Sequence, residues 1–250
     1  MSGWFVRSWI RSCNTDQGMR TGTSQRLNHF AGTRDRYRGG VFMTSEQHII
    51  KVIHQPYASR NVIRKKMADK KYESLKIENI VASGVIAESI DLIDFSEKTA
   101  NCELNKKRFP GAVYRIADPK IACLIFSSGK IVITGVRNDK ALADGLAIVI
   151  KSLKDAGIKP LKEPRIAITN MVCSYNLDRY INLNKLTVTL NLESVEYEPE
   201  QFPGLVFRIK DPKIVVLIFS SGKIILTGGK TLEDVRKGLD VLEKKLESLR

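Results

Sequence analysis

The sequence predicts an α+β fold of two repeated units, each a five-stranded antiparallel sheet with helices on one face, and three observations carry that prediction. The first is an internal duplication. FPGAVYRIADPKIACLIFSSGKIVITG (residues 109–135) aligns with FPGLVFRIKDPKIVVLIFSSGKIILTG (202–228), and 20 of the 27 positions are identical. One structural unit is therefore used twice. The second is the period within each copy, where short β-rich runs are punctuated by turn residues. The third is the stretch that closes each copy: Leu142, Leu146, Val149, Ile150 and Leu153 recur at helical spacing, as do Val235, Leu239, Leu242 and Leu246. A helix with one apolar stripe must bury it, and the nearest partner is one face of its own sheet.

Residues 1–70 come before this pattern. They show neither a 3.6 nor a 2.0 apolar period, and residues 1–66 hold 12 Lys/Arg against 3 Asp/Glu, a net +9 of the chain's formal +14. They read as a basic, disordered extension. A secretory signal fits poorly, because Trp4 to Ile10 is interrupted by Arg7 and Ser8; an Arg-rich presequence is the alternative. A third reading starts the native protein at Met67. Two units follow, over 71–160 and 161–250.

The first strands are predicted within 75–84 and 165–174, followed by short helical connections at Ser89–Phe95 and Leu177–Asn182. Second strands are expected at Ala100–Leu104 and Leu186–Leu192. The duplicated block supplies Val113–Ile116, Ile121–Phe126 and Lys130–Thr134, with equivalents at Val206–Ile209, Ile214–Phe219 and Lys223–Thr227. Asp118-Pro119 and Asp211-Pro212 mark one turn of each block, and Ser128-Gly129 and Ser221-Gly222 the next. Long helices close the units at Asp139–Ala156 and Leu232–Leu249.

Several function classes are disfavoured. No run approaches the ~20 apolar residues of a membrane span. The four cysteines lack CxxC spacing and the three histidines all lie in the first quarter of the chain, which argues against a zinc site, a Cys–His nucleophile or a disulfide framework. FSSGK is not a phosphate loop, since GxxxxGK[ST] is absent and Ile follows both Lys130 and Lys223. No enzyme activity, cofactor or metal is expected.

The strands are apolar on both faces: Ile121, Cys123 and Ile125 alternate with Ala122, Leu124 and Phe126. Two readings stay open. The halves stack as a sandwich, or one sheet face is kept bare for a partner. Cationic residues at the rim, Arg115, Lys120 and Lys130 with Arg208, Lys213 and Lys223, fit the second reading and a nucleic-acid partner.

The block FPG…RIxDPK…LIFSSGKIxxTG in both copies, the strands ENIV and TNMV, and YEPEQFPG together resemble the TATA-box-binding protein family, in its archaeal form, over roughly residues 71–250. The resemblance implies a pseudo-twofold saddle, with curved sheets lying on the DNA minor groove and helices on the convex face. It implies that Phe109, Phe126, Phe202 and Phe219 intercalate. Asn79, Val81, Leu124, Val132 and Thr134, with Asn170, Val172, Leu217, Ile225 and Thr227, contact bases and groove. The six rim cations contact phosphates, and Glu198 and Glu200 bind transcription factor B. Promoter TATA DNA is the implied partner, with RNA polymerase engaged indirectly and a homodimer when free of DNA. The implied setting is the nucleoid of a prokaryotic cell, or a nucleus. The alternative is a non-promoter DNA-binding or protein-interaction module on the same fold.

Overall fold

The computed structural model describes residues 72–190 and 194–247. The basic extension and the start at Met67 lie outside the described residues. In chain order the elements are β1 (Lys76–Val85), α1 (Leu92–Lys98), β2 (Cys102–Leu104), β3 (Ala112–Ile116), β4 (Ile121–Ile125), β5 (Lys130–Val136), α2 (Asp139–Asp155), β6 (Arg165–Asn176), α3 (Leu183–Thr189), β7 (Val195–Glu196), β8 (Leu205–Ile209), β9 (Ile214–Ile218), β10 (Lys223–Thr227) and α4 (Leu232–Glu247). The two predicted five-stranded halves join into one ten-stranded antiparallel sheet, ordered β2-β3-β4-β5-β1-β6-β10-β9-β8-β7. That continuity excludes the sandwich reading.

The seam is the pairing of β1 with β6, and it is reciprocal. Asn79 stands opposite Val172, and Val81 opposite Asn170. A bulge sits at Glu78 on β1 and another at Thr169 on β6, so each half breaks its ladder at the same place.

All four helices of the described residues contribute to one core. Ile121, Cys123, Ile125, Ile131 and Ile133 are buried with Leu142, Leu146, Val149 and Leu153 of α2, and the second half repeats this with Ile214, Val216, Ile218, Ile224 and Leu226 and the stripe of α4. Each such side chain contributes about 1.5–3 kcal/mol on burial. The caps are local. The Asn138 carboxamide accepts from Ala141 N–H at 2.8 Å to start α2, and Thr231 and Asp234 exchange hydrogen bonds of 3.0 and 3.1 Å at the start of α4.

The structure corrects the region after β6. Residues 177–182 form no helix, and the strand expected at Leu186–Leu192 is instead α3, capped by Asn182 accepting from Lys185 N–H at 3.0 Å. Thr187, Val188 and Thr189 favour strand locally, but Leu183, Leu186 and Leu190 share a buried helical face. α3 follows α1 at an offset of 91 residues, whereas β7 and everything after it follow at 93. Two extra residues before β7 thus shift the element positions.

Candidate nucleic-acid interface

The sheet face opposite the helices carries matched cross-strand rows. In the first half Val113, Leu124, Val132 and Ser83 are successive neighbours, and Arg115, Ala122 and Thr134 form the adjacent row. In the second half the rows are Val206, Leu217, Ile225 and Ser174, then Arg208, Val215, Thr227 and Val172. Most of these apolar residues are half-exposed while their strand neighbours are buried, and Leu217 is the most covered at 5%. An apolar sheet face left partly open to solvent in this way is a candidate binding surface.

At the centre, the two asparagines are held alike. Gly135 N–H donates to Asn79 Oδ1 at 2.8 Å, and Asn79 Nδ2 donates to Thr134 Oγ1 at 3.1 Å. Gly228 N–H donates to Asn170 Oδ1 at 2.8 Å, and Asn170 Nδ2 donates to Thr227 Oγ1 at 3.2 Å. A backbone N–H can only donate, so it fixes which carboxamide atom is oxygen and leaves an Nδ2 hydrogen for a ligand. Gly135 and Gly228 have φ of 92° and 109°, a conformation that aims the N–H at the asparagine and suits glycine.

Phe109 and Phe126 lie together, with ring centroids 5.6 Å apart, and Phe202 and Phe219 match them at 5.7 Å. All four are half-buried. Phe126 and Phe219 follow directly on β4 and β9, one residue beyond each strand, and lie outside the buried core. Each pair is wedged by a small neighbour: a Cβ on Gly111 would come within 2.8 Å of Phe109 Cε1 and 2.7 Å of the Ile125 carbonyl oxygen. At Gly204 the corresponding distances are 2.8 Å to Phe202 Cε1 and 3.3 Å to the Ile218 oxygen.

The cations stand around this face. Arg115, Lys120, Lys130, Arg208, Lys213 and Lys223 are exposed. Lys130 and Lys223 accept, through their carbonyls, from the N–H of Phe126 and Phe219 at 2.9 and 3.0 Å, which sets a lysine beside each aromatic pair. Arg208 is engaged by Glu196 at 3.1 Å. Glu198 and Glu200 are exposed in the turn that precedes Phe202. Sequence reasoning missed Val113, Val206, Val215 and the Gly135 and Gly228 N–H groups; the valines were findable, since each shares strand parity with a residue already singled out.

Burial pushes the Cys123 thiol up to about 12, and burial followed by the Glu78 charge does the same for Cys173; Cys102 is raised to about 11. These thiols stay protonated and unreactive near neutral pH. Among the described residues no group of three or more His, Cys, Asp or Glu could hold a metal ion, and no helix is long and apolar enough to cross a membrane.

Comparison with known proteins agrees with this geometry. A family model described as transcription factor TFIID (or TATA-binding protein, TBP) matches residues 74–156 and 165–249. The chain is 48% identical over 176 residues to TATA-box-binding protein 2 of Methanosarcina mazei, covering 70% of this chain and 96% of that protein. It is 45% identical over 175 residues to the TATA-box-binding protein of Archaeoglobus fulgidus, with the same coverage. Among solved structures it resembles the Methanococcus jannaschii TBP with a TM-score of 0.65 and 43% identity, over 70% of this chain and 99% of that one. With the duplicated sheet, the paired asparagines and these matches in hand, the chain belongs to the TATA-box-binding protein family.

Proposed function

We propose that this protein is a general transcription initiation factor that binds promoter TATA elements through the minor groove and bends them. The observation that carries the reading is the placement of Asn79 and Asn170 across the β1–β6 seam, each with an oriented amide N–H, between two phenylalanine pairs. In the minor groove A·T pairs offer only the A N3 and T O2 acceptors, which suit amide donors, while the guanine amino group would oppose them. Val81, Val172, Leu124, Leu217, Val132, Ile225, Thr134 and Thr227 supply a surface that follows the groove by shape. Phe109 with Phe126, and Phe202 with Phe219, act as wedges. Unstacking a step costs a few kcal/mol, offset by the surface that the bent duplex then buries. TA steps yield most readily.

Arg115, Lys120 and Lys130, with Arg208, Lys213 and Lys223, contact phosphates and set affinity and salt dependence rather than sequence choice. Residues 71–160 and 161–250 act as equivalent reading halves. Glu198 and Glu200 dock transcription factor B, which brings RNA polymerase. When DNA is absent, the apolar face covers itself against a second copy. The chemistry is binding, with no catalytic step.

Gel-shift titration of a TATA duplex against a G·C-substituted one, at fixed salt, tests the reading. Tighter binding to the TATA duplex is expected, with smaller bends for Phe126→Ala and Phe219→Ala. Equal affinity for both duplexes would instead favour a non-promoter DNA-binding or interaction module.

A further inference from the structure

The two turns at the outer ends of the sheet are one backbone carrying opposite charge. In the first, the N–H groups of Arg108 and Phe109 donate to the Asn105 carbonyl at 3.0 and 2.9 Å; in the second, those of Gln201 and Phe202 donate to the Glu198 carbonyl at the same distances. Residues 101–109 hold Lys106, Lys107 and Arg108 against Glu103, a net +2, while the equivalent residues 194–202 hold Glu196, Glu198 and Glu200 with no cation, a net −3. Lys106, Lys107 and Arg108 are all exposed. The neighbouring arginines differ in the same sense. Glu196 holds Arg208 at 3.1 Å, whereas among the described residues no ion pair joins its counterpart Arg115 to Glu103.

A run of surface cations is usually only a solvated loop. This one hangs from a turn fixed by two backbone hydrogen bonds, links the edge strand β2 to β3, and leads straight into Phe109. Its charges therefore stand just beyond the wedge formed by Phe109 and Phe126, on the outer side of the sheet. We propose that Lys106, Lys107 and Arg108 form an additional phosphate-binding site, which grips the duplex flanking the bound element beyond the first-repeat wedge. The inference rests on the minor-groove reading above. The ligand is the sugar-phosphate backbone, so the site adds affinity and salt dependence without base preference. The opposite turn, with its net −3, repels the same backbone, and the flank is held at one end only.

The test compares wild type with K106A/K107A/R108A on a duplex trimmed to the element and on one with about ten base pairs, one helical turn, added at each side. On the flanked duplex the slope of log K against log salt falls by up to about 2.7 in the variant, about 0.9 per lost phosphate contact. On the trimmed duplex the two proteins match, and K106R/K107R keeps the wild-type slope on both. Equal slopes for wild type and the triple variant on flanked DNA overturn the proposal and leave an acidic protein surface as the turn's partner. An equal loss on both duplexes also overturns it, by placing the three residues on the element itself. Failure of wild type to prefer the TATA element in either duplex defeats the groove-binding reading, and the proposal with it.

Discussion

The asparagine pair shows how the surroundings of a carboxamide fix which of its atoms is the donor. The Gly135 and Gly228 N–H groups occupy the carboxamide oxygens, so each side chain turns its Nδ2 donor away from that glycine. Both glycines are exposed, and water can replace the lost acceptor when the asparagine is removed. Asn79→Ala and Asn170→Ala should therefore change stability by no more than about 1 kcal/mol. Each should reduce A·T over G·C discrimination at the central pairs by about 1–3 kcal/mol, of the order of tenfold. Paired melting and competition-binding measurements check this; a large stability loss with discrimination intact would show the asparagines to be structural only. The buried thiols make a separate prediction. Cys123 and Cys173 ionise near 12 in the fold against 9.0 ordinarily. As pH rises from about 9 towards 12 the unfolded chain sheds protons that the native state retains, so stability falls with pH over that window and is unaffected below it. The equivalent positions in the other copy hold Val216 and Ala82. C123V/C173A should fold and show a shallower alkaline decline in denaturant midpoint than wild type.

At the scale of the element, each FPG turn packs a phenylalanine against its own glycine. The glycine after each proline leaves space into which the phenylalanine ring is seated, and a methyl group at Gly111 meets both the ring at 2.8 Å and a backbone oxygen at 2.7 Å. At Gly204 the backbone oxygen stands at 3.3 Å. Gly111→Ala should therefore displace its wedge and reduce DNA bending, read by end-to-end fluorescence transfer, more than Gly204→Ala does. An equal and negligible effect of both would remove the glycines from the wedge geometry. The α3 region makes the complementary point. Its β-branched Thr187, Val188 and Thr189 argue for strand, yet burial of Leu183 and Leu186 against the core decides for helix. Local propensity is worth tenths of a kcal/mol per residue, and two buried leucines outweigh it.

For the whole molecule, the consequence of the duplication is a nearly symmetric sheet. The open-face rows of the two halves differ by little more than Ala122 against Val215 and Val132 against Ile225. The charged turns differ strongly, but a phosphate contact made by the basic turn carries no base preference, since both strands share the same backbone. Orientation on a TATA element should therefore be close to random for the protein alone and become directional once transcription factor B engages Glu198 and Glu200; cleavage from a probe tethered to one half reads this directly, and strong polarity without the partner would contradict it. The amino-acid sequence by itself determined the repeat, the strand alternation and the closing helices, because periodicity and duplication are properties of the chain order. Tertiary structure alone decided which apolar face stays open and that the halves share one ten-stranded sheet. It also decided that Phe126 and Phe219 lie outside the core and that each asparagine is oriented by a glycine more than fifty residues away. Those features depend on pairing between distant segments, and strand alternation reads the same whichever face the helices cover.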